Sequence, residues 1–398
     1  MAAQYCCNQR MRMLQPTTTN TILPDEIIDD ILVRLPVRSL LRFKSVCKSW
    51  KTLINDPKFA NIHLRFSTAA EDTSTANKQL IFYTNMEPYV ILTYNLKQLF
   101  ENPSTSAELV ISSFLNMNNK YVKVGSCNGL LCLLDRSQRR LKLLNPSTGV
   151  KSKKSPQVFP LFNWKVRHIG FGYDQINDKY KFLVVLSDFD TGESLTKIYT
   201  FGEDSSKTIQ NLPFNLGTSL GEYVSGTLNW IVDKNGGGDI GIYQSSILSF
   251  DLNKETHREI LLPPKDGGLG GKMHIISKLC VFGNSLCTIV FEKSDWVVWL
   301  MKQVGSVVES WTKLKIIPYE KFMSSSLPSN SVEPLFISEN GVVLLRNIRS
   351  SKFVLYNLNT SELVYPSLSC EQIPYFHFYK NNLLYLHIQL ESLVSPRW

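Results

Sequence analysis

Few groups in this sequence have types and spacings that could make or break a bond. GTSLG, residues 217–221, fits the G-x-S-x-G pattern that lifts a nucleophilic serine on a turn between a strand and a helix. Pro213 closely precedes it and EYVSGTLNWI, which follows, has strand character, so Ser219 is expected in a glycine-bearing loop. Gly236 to Gly238 and GGLGG at 267–271 lack both the phosphate-loop lysine pattern and a following helix, and read as loops. Six histidines are scattered without an HExxH partner, and no cysteines form a CxxC pair. His377 and His387 fall in the last strand-like runs, where they could share a pocket or sit as half-buried strand residues. No base, nucleophile and oxyanion site assemble, so the expectation is no catalytic residue, no metal and no cofactor.

A second chemistry is electrostatic. The chain of 398 residues carries a formal net charge of +9. Residues 1–66 hold ten basic against five acidic residues, and a second basic cluster (Arg136, Arg139, Arg140, Lys142, Lys151, Lys153, Lys154) flanks the turn NPSTG. Such a patch could bind nucleic acid or another anion. Its other reading is a pair of solvated hairpin ends, which makes nucleic acid an unlikely partner.

These residues need elements to position them. At 43% hydrophobic and 11% aromatic, the chain can bury a large core, and its length suggests about two domains. No apolar run approaches the ~18 residues that cross a bilayer. The first twenty residues have two arginines, no acid and no continuous apolar stretch, which reads as a polar, disordered tail over 1–21 and not as a secretory signal. Cys127, Cys132, Cys280 and Cys287 sit in apolar strand-like runs, where cysteine serves as a small buried hydrophobe. Reduced thiols fit a location in cytoplasm, nucleus or both.

The stretch LPDEIIDDILVRLPVRSLLRFKSVCKSW, Leu23 to Trp50, is helical in pattern. Pro24 suits a helix start, Asp25 and Glu26 complement the dipole there, and Ile27, Ile28, Ile31, Leu32 and Leu35 draw a wide apolar stripe. Pro36 ends that segment. A second helix follows with Val37, Leu40, Leu41 and Phe43; a third carries Val46, Cys47, Trp50, Leu53 and Ile54 until Asp56-Pro57. A bundle this small buries too little area to stand alone. Either another protein covers the remaining apolar surface, or the helices cap the large downstream domain.

After Phe66 the polar STAAEDTSTANK reads as a linker over 67–77, and from 78 to 398 the pattern is β throughout. Small polar pairs precede apolar strands at Asn128-Gly129, Gly226-Thr227, Asn284-Ser285, Asn340-Gly341 and Asn381-Asn382, with downstream turns such as LNPSTG, FDLNKET and YNLNTSEL. An irregular period of this kind fits propeller blades, with a β-sandwich pair as the alternative. Gln79 to Tyr83 is expected to pair with the strand near Leu383 to Ile388 and close the ring.

Residues 23–59 resemble the F-box motif, with Leu23-Pro24, Leu35-Pro36, Val46-Cys47, Trp50 and Asp56-Pro57 in place. That resemblance implies an F-box over 22–66 that docks on a Skp adaptor and through it a cullin. It further implies that Leu23, Pro24, Ile28, Leu32, Leu35, Pro36 and Leu40 face the adaptor, while Ile31, Val46 and Trp50 form the internal core. GSCNGLLCLLD, GFGYDQINDKYK, GTLNWI, ILSFDLNKE and FVLYNLNTSEL resemble the F-box-associated, kelch-like domain of plant F-box proteins. Together the resemblances imply a non-catalytic substrate receptor of a ubiquitin ligase that holds a target protein for proteasomal turnover. An S-locus receptor for basic ribonucleases would share this architecture, but a receptor of net charge +9 matches such targets poorly. Phe162, Trp164, Trp296 and Trp299 are candidate rim aromatics for the target, or core residues.

Overall fold

A computed structural model describes residues 24–69, 75, 77–84, 90–104, 110–114, 121–135, 137–153, 156–158, 164–203, 205–212, 220–233, 245–263, 275–282, 285–292, 295–304, 308–318, 332–338, 340–347, 353–366 and 384–396. Helices come first: α1 (Asp25–Val33), α2 (Val37–Phe43), α3 (Lys48–Asn55) and α4 (Pro57–Ala69). Pro24 and Pro36 sit as N-caps of α1 and α2, with ψ of 145° and 146°, just outside the first turn where the sequence suggested Pro24 would lie. The expected stop at Asp56-Pro57 is a corner only. Asp56 Oδ1 accepts from the Lys58 amide at 2.8 Å, and α4 runs on through Ala69, past the expected start of the linker.

Strands follow in groups that fold on their nearest neighbours. The first sheet has the order β23-β1-β2-β3, from β1 (Lys78–Thr84), β2 (Val90–Asn95), β3 (Val110–Phe114) and, from the far end of the fold, β23 (Leu384–Leu390). A short helix α5 (Leu96–Glu101) links β2 to β3. The next sheet is β4 (Tyr121–Cys127), β5 (Leu130–Asp135) and β6 (Arg140–Leu144). An eight-stranded sheet then splits naturally into two antiparallel groups of four. One is β7 (Trp164–Asp174), β8 (Lys179–Asp188), β9 (Ser194–Thr200) and β10 (Ser206–Ile209); the other is β11 (Leu220–Val224), β12 (Thr227–Asp233), β13 (Ser245–Asp251) and β14 (Thr256–Ile260). Their first strands touch in parallel at Leu220↔Ile169 and Gly221↔Gly170. Two further sheets hold β15 (Ile275–Phe282), β16 (Ser285–Glu292), β17 (Asp295–Val304) and β18 (Val308–Pro318), then β19 (Val332–Ile337), β20 (Val342–Asn347), β21 (Phe353–Asn357) and β22 (Leu363–Val364).

This gives six blade-like units among the described residues, an α-helical head followed by a propeller-like β domain. Closure is as the sequence suggested. β1 pairs antiparallel with β23 from Lys78↔Leu390 to Thr84↔Leu384, so the first and last strands share one blade and seal each other's edge.

The structure also explains the polar turns of the repeat. Asn145, Asp251 and Asn357 stand at equivalent hairpins, and each side-chain Oδ1 accepts from the amides two and three residues on, at 2.8 to 3.3 Å. The fourth residue on, Gly149, Glu255 or Ser361, takes a positive φ of 71°, 55° or 62° and donates its amide back to the first residue's carbonyl. A short polar side chain that imitates a backbone turn is what these positions need. The pairs Asn128-Gly129 and Ser225-Gly226 likewise adopt positive φ at both residues, the geometry of tight two-residue hairpins.

Candidate functional site

The helical head has two unlike sides. Its interior is Leu32, Val33, Val37, Leu40, Ile54, Phe59 and Ala60, and one residue from beyond β23, Leu393, completes the cluster. Burying aliphatic side chains of this kind is worth roughly 1.5–3 kcal/mol each. Leu32 and Leu40 are 1% and 0% exposed, which corrects their expected place on the adaptor face. They point inward because α1 and α2 fold back against α3, α4 and Leu393, so the deepest positions of the stripe go to the chain's own core. Ile31 and Val46 are corrected in the opposite sense: they lie outside, at 48% and 62% exposure, and not in the internal core. Ile31 follows Ile27, itself 46% exposed, by one helical turn on α1.

The other expected contacts divide between these sides. Pro24 and Pro36 are exposed, Ile28 and Leu35 are half-buried against the cluster, and Leu23 lies outside the described residues. Trp50 is half-buried and packs on Phe43 of α2 with ring centroids 5.4 Å apart, which ties α3 to α2. Cys47 caps α3 through a long contact from the Trp50 amide to Sγ, 3.5 Å.

Sequence reasoning missed His63 on α4. It is 1% exposed, and its Nε2 stands 2.9 Å from the Leu35 carbonyl, pinning the α1–α2 corner. Burial pushes its imidazole pKa below the usual value, only partly offset by that bond, so it sits neutral at physiological pH. The signal available in the sequence was its place one turn after Phe59, on a helix of which the motif reached only the first turn.

The remaining candidates that the structure describes pack against its sheets. Trp296 and Trp299 are each 5% exposed inside the β17 sheet, so neither is a rim aromatic. Both were ambiguous because WVVWLMK is apolar on both faces, as suits a strand packed between neighbouring blades. Trp164 is half-buried against the core cluster of β4 to β9, and Phe162 lies outside the described residues. Ser219 is outside them too, but the next residues form strand β11 and no helix follows. Gly221 of that stretch has a plainer reason: a Cβ there would stand 2.5 Å from Trp230 Cε2, and one at its partner Gly170 would stand 2.9 Å from Trp230 Cζ2. The two glycines make the slot for a fully buried indole.

Of the basic cluster, Lys142 faces Asp135 at 3.8 Å, donates to Tyr121 Oη at 3.0 Å and lies over its ring. Arg140 and Lys151 belong to strand bridges, and Arg136 and Lys154 fall outside the described residues. The patch is therefore largely the edge of one blade. Burial raises the thiols of Cys127 and Cys132 well above their usual pKa, as befits core residues. His377 and the side chain of His387 lie outside what the structure describes. Among the described residues no group of three or more His, Cys, Asp or Glu could hold a metal, and no helix is long and apolar enough to cross a membrane.

Comparison with known proteins gives the same two parts. Residues 21–61 match the F-box domain and residues 79–386 match the F-box associated beta propeller domain. The chain is 31% identical to F-box/kelch-repeat protein At3g23880 of Arabidopsis thaliana over 336 residues, covering 81% of this chain and 85% of that protein. It is 32% identical to the putative F-box protein At3g10430 of the same plant, covering 61% of this chain and 62% of that one. A third relative, Arabidopsis F-box protein At3g08750, is 27% identical over 73% of this chain and 72% of its own length. With helices that leave Ile27 and Ile31 open on one side and a ring of blades closed by β1 and β23 on the other, the chain belongs to the F-box proteins that carry an F-box associated β-propeller domain.

Proposed function

We propose that this chain is the non-catalytic substrate receptor of a Skp/cullin/F-box ubiquitin ligase, binding a Skp-type adaptor through its helical head and a target protein through its propeller. The observation that carries the reading is the pair Ile27 and Ile31, which stay about half exposed while Leu32 and Val33 on the same helix are buried. Apolar residues one turn apart on a helix whose other side is packed present a face for a partner helix. Pro24, Ile28, Leu35 and Pro36 are further candidate adaptor contacts beside it, and Leu23, outside the described residues, is a candidate from the sequence. Transfer of ubiquitin belongs to other subunits; this chain supplies proximity, which raises the effective concentration of target lysines near the transferring enzyme.

The adaptor and target sides are separated by the strand alternation. Gly129, in the β4–β5 turn, contacts Ser392 and the Gln389 side chain beside the helical head, so turns of that set face the F-box. Turns one strand further on open at the opposite rim. There Phe189, in the β8–β9 turn, Leu261, just beyond β14, and Tyr365, just beyond β22, are 67%, 77% and 68% exposed. These residues replace Trp296 and Trp299 as candidate target contacts. Cytoplasm, nucleus or both is the location that fits reduced thiols and this role.

The test is co-purification of the full chain with a Skp-type adaptor. Ile27→Asp with Ile31→Asp should reduce adaptor binding by at least roughly 100-fold, about the cost of seating two charges in an apolar contact, and leave the urea midpoint of the propeller unchanged. Retained adaptor affinity in that double variant sinks the proposal.

A further inference from the structure

Four residues beyond β23, Glu391, Ser392, Leu393 and Val394, are 1%, 0%, 6% and 8% exposed although they belong to no strand. Several elements hold them. The Glu391 amide donates to the Asn77 carbonyl at 2.7 Å, and its carboxylate lies 3.5 Å from Arg38 Nε on α2 and 3.4 Å from Asn95 Nδ2. Asn145 Nδ2 donates to the carbonyls of both Ser392 and Val394 at 2.8 Å. Gly129, at φ +75°, passes so close that a Cβ would stand 2.2 Å from Ser392 Cβ. The two apolar side chains then part company. Leu393 enters the cluster of α1 to α4, and Val394 enters the cluster built from β4 to β9. Leu64 of α4 packs on that second cluster from the helical side.

We infer that Glu391–Val394 is a stitch shared by the two domains: Leu393 completes the F-box core and Val394 the propeller core, so the adaptor-docking helices become fully packed and fixed in orientation only once β23 has closed the ring. The argument is one of place. β23 lies in the blade of β1, and the segment after it is positioned by that pairing, by Asn145 and by the Gly129 turn. Until those contacts exist, nothing aims Leu393 at Leu32, Val37 and Leu40. Arg38 and Glu391 act as positioning residues, because their ion pair joins helix α2 to the segment at a site where the carboxylate is buried. As a functional statement this rests on the receptor reading: a ring that has not closed would present the adaptor with loosened helices, and a closed ring would hold its far rim at a set angle to the ligase.

Hydrogen exchange followed by mass spectrometry on the full chain tests the stitch without needing the target. In Leu393→Ala, protection of amides in α1 to α4 should fall roughly 10- to 100-fold while amides of β7 to β9 keep theirs; Val394→Ala should do the reverse, and Leu393→Met should restore the helices. Arg38→Ala should weaken protection at α2 and at Glu391 to Val394 together. Helical protection in Leu393→Ala equal to that of the unsubstituted chain, or equal loss from both alanine variants in both domains, overturns the inference. Adaptor affinity measured on the same proteins separates the two ideas. An unsubstituted chain that ignores the adaptor removes the receptor reading, whereas a helix-specific exchange response tests the stitch alone.

Discussion

Lys181 offers the sharpest energetic test of how the blades hold together. It is on β8, 6% exposed, and its Nζ lies 2.9 Å from Asp174 Oδ2, 3.3 Å from Glu255 Oε1 and 2.7 Å from the Leu252 carbonyl. The amine thus joins the β7–β8 turn of one blade to the β13–β14 turn of the next. Lys181→Met keeps most of the side-chain volume and removes the cation from two carboxylates, one of them with no exposed side-chain surface. Breaking a buried pair by removing one partner costs about 3–5 kcal/mol. An independent figure comes from Asp174: burial pushes its carboxyl pKa up, but hydrogen bonds from Asn177 and Lys181 outweigh that and hold it at about 2, below the usual 3.8. That depression is worth roughly 2.5 kcal/mol, and Asn177 supplies part of it. A cost of about 2–4 kcal/mol at neutral pH follows.

The sign of the pH dependence follows from the same group. Because the folded value lies below the unfolded one, Asp174 contributes its full stability above the unfolded value and loses it as the pH falls through that value toward about 2. Glu255, also held below its usual value despite burial by Lys207 and Lys181, acts in the same direction. Urea midpoints read by tryptophan fluorescence at pH 7, 4 and 3 should therefore fall steeply in the unsubstituted chain and more gently in Lys181→Met. A neutral-pH cost under about 1 kcal/mol, with an unchanged acid slope, would refute the view that this ion-pair cluster staples the two blades.

Other substitutions probe close approaches. Gly221→Ala drives a Cβ into the Trp230 indole and should cost about 1–3 kcal/mol; a urea midpoint within error of the parent would contradict the slot. Asn145→Ala removes two buried donors from the carbonyls of Ser392 and Val394 as well as a turn cap, for roughly 2–4 kcal/mol, and its loss should appear in both domains when unfolding is followed by hydrogen exchange.

Reading the head from sequence succeeded where a residue's neighbours are local. Prolines at the boundaries of the first two helices and acids in the first turn of α1 depend on residues within a turn or two of one another. The inside and outside of the stripe did not follow. Ile27, Ile28, Ile31, Leu32 and Leu35 are chemically alike and share one continuous arc of roughly 140° on the helix, so periodicity could not say which would meet Leu393 and which would stay open.

In the β domain, the alternation of polar turns and apolar runs determined the class of fold, and the need to seal an edge foretold the β1–β23 pairing. A strand that is apolar on both faces carries no mark of its buried side, which is why Trp296 and Trp299 could be mistaken for rim residues. By itself, then, the sequence determined two domains, their element types and the family, because those rest on short-range pattern. Only the tertiary structure decided that Leu393 belongs to the helices and Val394 to the blades, that Gly170 and Gly221 serve one indole, and that Lys181 bridges two turns. Each of those facts is a meeting of residues far apart in the chain, and such meetings are set by how the ring closes.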